Sequence, residues 1–225
     1  MKFILSSAVL AALFVGGARA EALSAILSRM DQGARGFTSL SATMKRVQFT
    51  AVLGEADEID GVVRLRRAKD GTTGVLEFRQ PEERLVLVKG KSAQVFYPKA
   101  NTVEIYDTSK YTSNIDQIIL LGFGTSSSDL KNSYDLKDGG LEKIGGVEMT
   151  RVELNPKSAE LKRLITRIEM WFPNGASNPA RVKFSEPSKN YEMVDYSDLK
   201  VNPPLPDSAF VLKLPGNVKK IYPQK

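Results

Sequence analysis

The sequence predicts a mainly β protein: about ten or eleven short strands forming one large curved sheet or partly closed barrel, with few helices. Three observations predict it. After Ser39 the apolar period shifts toward two, through segments rich in Val, Thr, Phe, Tyr and Leu. Turn residues separate those segments at regular intervals. Helical periodicity is confined to residues 22–34 and to the stretch 112–133, which alone interrupts the strand pattern.

In chain order, MKFILSSAVLAALFVGGARA reads as a secretory signal. Lys2 forms a short positive region, Phe3 to Val15 are mostly apolar, and Ala18-Arg19-Ala20 fits an A-x-A cleavage site. Cleavage after Ala20 leaves 21–225 as one domain, expected to be a free soluble protein outside the cytoplasm. The next stretch, ALSAILSRMDQGA, places Leu23, Ile26, Leu27, Met30 and Ala34 on one helical face, with Gly33 and Gly36 suited to its end. Such a face ordinarily packs on a core. A first set of strands follows: SLSATMKRVQFTAV, EIDGVVRLRR, TGVLEFR, RLVLVKG, SAQVFYP and NTVEIYD. Lys69-Asp70-Gly71, Gln80-Pro81, Lys89-Gly90-Lys91 and Pro98-Lys99-Ala100-Asn101 mark their turns, the pattern of an antiparallel meander. A second set runs from Tyr134 to Val201, with Gly145-Gly146 and Pro173-Asn174-Gly175 as turn signals. No linker separates the sets, so one sheet is expected. In the tail, prolines 203, 204, 206 and 215 forbid helix and central strand. Leu205, Phe210, Leu212 and Leu214 are expected to pin it, extended, on the sheet edge.

Composition excludes several chemistries. There is no cysteine, hence no disulfide, thiolate nucleophile, thiolate metal site or acylated N-terminal cysteine. There is no histidine, hence no Ser-His-Asp triad and no imidazole metal site. No cofactor is implied. The formal charge of +6 falls to +4 without Lys2 and Arg19, which indicates a mixed-charge surface with at most mild attraction to anionic headgroups. No basic run interleaved with aromatics suggests nucleic acid. The stretch IDQIILLGFGTSSSDL (115–130) has the glycines and serines of a phosphate or nucleophile loop, but lacks both the Gly-Lys-Ser/Thr ending and the second glycine of a nucleophile elbow. Its serines read instead as helix caps, in Ser113-x-x-Asp116 and Ser126-x-x-Asp129, and Gly122 and Gly124 as the break between two short helices. The first of these is apolar almost all round, so it is buried or covers something apolar. Asp57, Glu58 and Asp60, like Glu82 and Glu83, read as solvated charges rather than a glycosidase pair, and Trp171 is the lone tryptophan.

In order and spacing these segments resemble the outer-membrane lipoprotein carrier (LolA-like) family of bacteria with two membranes. The matching features are the signal, the amphipathic helix and S-L-S-A-T-M. They continue with Gly61-x-x-x-Leu65-Arg66-Arg67, Glu77-Phe78-Arg79-Gln80-Pro81, Leu87-Val88-Lys89-Gly90-Lys91 with Val95-Phe96-Tyr97-Pro98, and the closing LPDSAFVLKLP. Ala68 stands where the family commonly has proline. The resemblance implies an unclosed antiparallel β-barrel of about eleven strands, with an N-terminal helix and a two-helix lid over an apolar cavity. It implies a non-enzymatic periplasmic carrier, monomeric, that takes the acyl chains of lipoproteins or lipids from inner to outer membrane. Its partners would be an inner-membrane lipoprotein-releasing transporter and an outer-membrane acceptor, with transient membrane contact. A lipid- or lipoprotein-sensing module of an envelope-stress pathway shares the fold and stays open, as does, more remotely, a hydrolase.

Alternation places Val63, Leu65 and Arg67 on one strand face. If that face is concave, Arg67 reaches an apolar cavity, where its five donors need acceptors such as helix C-terminal carbonyls. The resemblance implies that Arg67 latches the lid; the alternative is a strand-end arginine in solvent. Ile118, Leu121 and Phe123 of the lid and Leu23 and Leu27 of the helix complete the expected ligand-binding set.

Overall fold

The computed structural model describes residues 21–68, 71–80, 82–109 and 121–224. Helix α1 (Leu23–Arg35) buries Ile26, Leu27, Met30 and Ala34, the face expected from periodicity, and ends at Gly36. Six strands follow: β1 (Ser39–Thr50), β2 (Glu55–Ala68), β3 (Gly71–Gln80), β4 (Arg84–Lys89), β5 (Ser92–Tyr97) and β6 (Thr102–Asp107). Helix α2 (Ser127–Ser133) precedes β7 (Tyr134–Ile144) and β8 (Val147–Pro156). Then come α3 (Ala159–Leu164), β9 (Arg167–Pro173), β10 (Arg181–Ser185), β11 (Tyr191–Val201) and β12 (Lys219–Ile221).

The described strands form one sheet in the order β12-β6-β5-β4-β3-β2-β1-β11-β10-β9-β8-β7. It does not close, because β12 and β7 are its two edges. The two sets join where β1 pairs with β11 as well as with β2. All pairs are antiparallel except β12–β6, which is parallel. The expected eleven strands are thus present, and β12 is a twelfth.

Each face of the sheet has its own cover. On the inner face, α1 packs on β8 to β10 through Ile26, Leu27, Met30, Val152, Leu154, Ile168, Met170, Phe172 and Val182. On the outer face, the tail packs Phe210 and Leu212 on Val75, Leu87, Phe96 and Val103, with Leu205 and Leu214 beside them. This corrects two expectations. The proline-rich tail lies across a sheet face rather than along an edge, because its apolar residues need a surface and the outward side chains of β3 to β6 are apolar. Only Lys219–Ile221, beyond the last of the four prolines, pairs at the edge. Asp207–Phe210 also forms a 3-10 turn, which Pro206 can precede because the first turn of a helix needs no N–H from that position. The third difference is α3. It buries no residue, so the apolar period that marks α1 is absent from its sequence AELKRL.

Gly61 sits at a bulge where the β2–β3 register slips between Asp60 and Gly61. A Cβ there would lie 2.5 Å from the Glu77 carbonyl oxygen and 2.8 Å from Met44 Cε, so only glycine fits. Bulges bend and twist a strand, and this one lies in the middle of the long β2.

Phe172 is fully buried on β9 under α1. Phe172→Ala is expected to lower unfolding free energy by about 3–5 kcal/mol in urea titration, from lost burial and the cavity left behind; a loss under ~1 kcal/mol would contradict this packing.

Candidate functional site

The inner faces of β1, β2, β3 and β11 carry Leu40, Ala42, Met44, Val63, Leu65, Phe78 and Val194, which pack with Phe37 and Phe123. They leave a cavity of about 150 Å³, walled by Met44, Val63, Leu65, Phe78, Val194 and Tyr196, with Phe184 at its far side. Phe78 on β3 and Phe184 on β10 are four strand spacings apart, about 19 Å in a flat sheet. Both wall the same small space, so the sheet is strongly curved here and the inner face is concave.

One end of this space opens and the other is shut. At the open end, Phe184 and Glu192 also line a wider groove of about 660 Å³, bounded by Arg163, Leu164 and Ile165 at the end of α3 and by the turn Glu186 to Ser188. Arg46 spans the opening and is held by Glu192 through two bonds, Nε to Oε1 at 2.6 Å and Nη2 to Oε2 at 2.7 Å. Burial first, and then the Glu192 charge, push the Tyr196 hydroxyl well above the usual phenol range, so it stays protonated.

The shut end lies at Arg67. Along β2, Arg67 is eight residues from Ile59, the register partner of Arg46, or about 26 Å. Arg67 Nη1 donates to the Ala34 carbonyl in the last turn of α1 (3.2 Å), and Nη2 to the Gly124 carbonyl (2.5 Å). Its guanidinium also lies 5.4 Å from the centre of the Phe37 ring. The side chain is therefore at the rim, exposed at its surface, yet bonded to two backbone oxygens from two different segments. A helix C-terminal carbonyl carries partial negative charge and suits a cation.

The segment 121–127 is fastened at three points. Asn178 Nδ2 donates to the Gly122 carbonyl (3.0 Å), Arg67 to that of Gly124, and the Ser127 N–H and hydroxyl both donate to Asp31 of α1 (2.6 and 2.7 Å). The Ser127 N–H first, then its hydroxyl, hold the Asp31 carboxyl below the usual carboxylate range. Ser126 caps α2 as its spacing suggests: it accepts from the Asp129 N–H (3.1 Å) and donates to the Asp129 carboxylate (2.6 Å). Leu121 enters the cluster under α1, and Phe123 enters the cluster beside the cavity, edge-on to the wall residue Tyr196 at 4.9 Å between ring centres. Gly124 (φ +84°) leaves no room: a Cβ would lie 2.7 Å from Phe37 and 3.0 Å from Arg67 Nη2.

Of the residues expected at the site, Val63 and Leu65 line the cavity and Arg67 stands at its shut end. Leu121 and Phe123 lie in the two clusters just described. Leu27 is buried under α1 and Leu23 partly buried beside it, facing β8 to β10 rather than the cavity. Ile118 and the Ser113-x-x-Asp116 pattern lie outside the described residues. Sequence reasoning missed Arg46, Phe78, Glu192 and Tyr196. Alternation from Met44 to Arg46 could have found the first, as it found Arg67.

An open β-barrel folded around an apolar cavity is what these features define. Residues 55–213 match the family described as outer membrane lipoprotein carrier protein LolA, and the chain belongs to that family. The fold is similar to that of an uncharacterized conserved protein from Thermus thermophilus (12% identity, TM-score 0.55, covering 90% of this chain and 99% of that one). It is also similar to lipoprotein LppX from Mycobacterium tuberculosis (16% identity, TM-score 0.50, 82% and 99%). A third likeness is to MucB (13% identity, TM-score 0.52), where the match covers 88% of this chain but 64% of that one. No curated sequence matches the chain.

Gly124→Ala is expected to cost about 1–3 kcal/mol of unfolding free energy, from a positive φ and the contact with Phe37; an unchanged urea midpoint would refute the close approach. Asp31, whose carboxyl is lowered in the fold, stabilises the 121–127 attachment at neutral pH. That contribution should fade as pH falls below about 3.9, the ordinary aspartate value, and through the lower folded one. Amide exchange at Ser127, normalised for intrinsic rate, checks this: Asp31→Asn should remove the acid-induced increase.

Proposed function

We propose that this protein is a carrier of acylated cargo in the periplasm, holding the acyl chains of lipoproteins or lipids in its inner cavity and passing them from inner to outer membrane. The single observation that supports this most is an apolar cavity with one open end, in a chain of the lipoprotein carrier family. The physical argument is transfer free energy. Each methylene moved from water into an apolar site gains about 0.8 kcal/mol, so an acyl chain leaves a membrane only for an equally apolar space.

The cavity is small beside an acyl chain, so loading requires the walls to part. Phe123 packs edge-on against Tyr196 of the wall, and the segment that carries it is tied to β2 by Arg67. In this reading Arg67 latches the segment when the cavity is empty, and cargo displaces it. The donor would be an inner-membrane lipoprotein-releasing transporter and the recipient an outer-membrane acceptor. The protein acts as a monomer and performs no covalent chemistry.

Protein purified gently from its native envelope should carry acylated peptide or lipid by mass spectrometry. An empty protein with a stoichiometric protein partner would favour the sensing module instead. Arg67→Leu should speed amide exchange of residues 121–126 by about tenfold or more, the scale of a lost charged hydrogen bond, and alter transfer of a fluorescent acylated peptide to vesicles. If both stay at wild-type values, the latch is wrong.

A further inference from the structure

Phe78 of the cavity wall has a second arginine beside it, and its chemistry differs from that of Arg46. Arg84, at the start of β4, is opposite Phe78 in the β3–β4 register and so shares its inward face. Its guanidinium lies 4.6 Å from the centre of the Phe78 ring, and that of Arg46 lies 5.8 Å from the same centre. Two cations therefore flank one aromatic wall of the apolar cavity. Arg46 is compensated by its two bonds to Glu192. Arg84 makes no ion pair among the described residues. A contact with a ring uses none of the five N–H donors of a guanidinium.

The neighbouring groups keep that charge available. Tyr97 follows Phe96 on β5 and feels the charges of Glu104, Arg84 and, more weakly, Glu82. The Glu104 carboxylate is already engaged: Tyr106 donates to its Oε2 at 2.7 Å and Tyr97 at 3.5 Å. The bond to Glu104, with burial, pushes the Tyr106 phenol up to about 12, so it remains a donor at neutral pH. Glu82 and Glu83 precede Arg84 in the chain and are solvent-exposed.

We propose that Arg84, seated on Phe78 beside the cavity, binds the anionic head of an amphiphile whose acyl chain lies in the cavity, so that the cargo is an acyl ligand ending in a single carboxylate or phosphate charge. This rests on the acyl-carrier reading above. The guanidinium fork matches the geometry of both oxyanions. With Arg46 and Glu192 cancelling each other, Arg84 is a cation on the inward strand face without an ion pair among the described residues. A neutral head would leave that charge facing an occupied apolar cavity without a counter-ion, and that is the source of the discrimination.

The test is titration calorimetry of the purified full chain with three ligands below their micelle concentrations: laurate, lauroyl lysophosphatidylglycerol and the uncharged monolaurin. Laurate and the lysophospholipid separate the two sources of the charge. At least one of them should bind about 10–100 times more tightly than monolaurin, the range of a charged hydrogen bond, and the preference should shrink as salt is raised. Arg84→Gln should remove the preference while leaving monolaurin affinity within about twofold, and Arg84→Lys should restore part of it. Arg167→Gln, on the outer face of β9 where it pairs with Glu169, should leave it intact. Equal affinities for all three ligands in the wild type, or equal losses in Arg84→Gln and Arg167→Gln, overturn the headgroup site and leave the carrier reading standing. Failure of every ligand to bind overturns both.

Discussion

The twelve-stranded sheet has an inner face far wider than α1, the longest helix among the described residues, can cover. Eleven strand spacings amount to about 53 Å, whereas α1, with 13 residues, is about 20 Å long. Apolar residues nevertheless run across the inner face from β3 to β8, and water contact along that row is costly. The helix covers β8 to β10. The remainder, β1 to β3 and β11, is covered by Phe37, by Phe123 and by the curvature of the sheet, which brings β3 and β10 to the walls of one space. Among the described residues, the side chains on this curved face leave the cavity between them.

The two ends of that space differ in what answers their charges. At the shut end, Arg67 bonds to carbonyls of two backbone segments, so the bond exists only while α1, β2 and the segment around Gly124 keep their mutual positions. At the open end, Arg46 is answered by Glu192 through side chains alone, within the neighbouring strands β1 and β11. Movement of residues 121–126 therefore breaks the first arrangement and leaves the second intact.

The outer face holds the curvature in place. The tail covers β3 to β6, and Arg66 reaches from β2 to Asp207 (2.6 Å) and to the face of Phe210 (4.4 Å). Across β7 to β11 charged side chains take over: Arg151 lies among Glu142, Glu153 and Glu169, Trp171 donates to Glu142 (2.8 Å), and Arg181 pairs with Asp195. The tryptophan that sequence reading weighed for sugar binding is thus accounted for on the side of the sheet away from the cavity. The β7 edge carries a bulge between Asp138 and Gly140, a feature that discourages pairing with another sheet.

How much was legible in the sequence follows from the range of each signal. Strand alternation, the face of α1, the turn glycines and prolines and the cap at Ser126 are local, so spacing within a few residues specified them. The same alternation put Arg67 on the face of Val63 and Leu65. The order of the motifs identified the family, and with it an unclosed barrel. Helix α3 was not legible, because a helix that buries nothing leaves no apolar period. The side on which the tail packs depended on the faces of β3 to β6, and the partners of Arg67 are backbone carbonyls, which no residue type marks. Whether Arg46 and Arg84 answer the same aromatic ring depended on strands β1 and β4 being bent around Phe78. By itself the sequence determined α1, the eleven strands of the two sets and the face that α1 and β2 present, because those are short-range consequences of spacing. Only the tertiary structure decided that the inward faces enclose a cavity shut at Arg67 and open at Arg46, because curvature is set by contacts between residues more than a hundred positions apart.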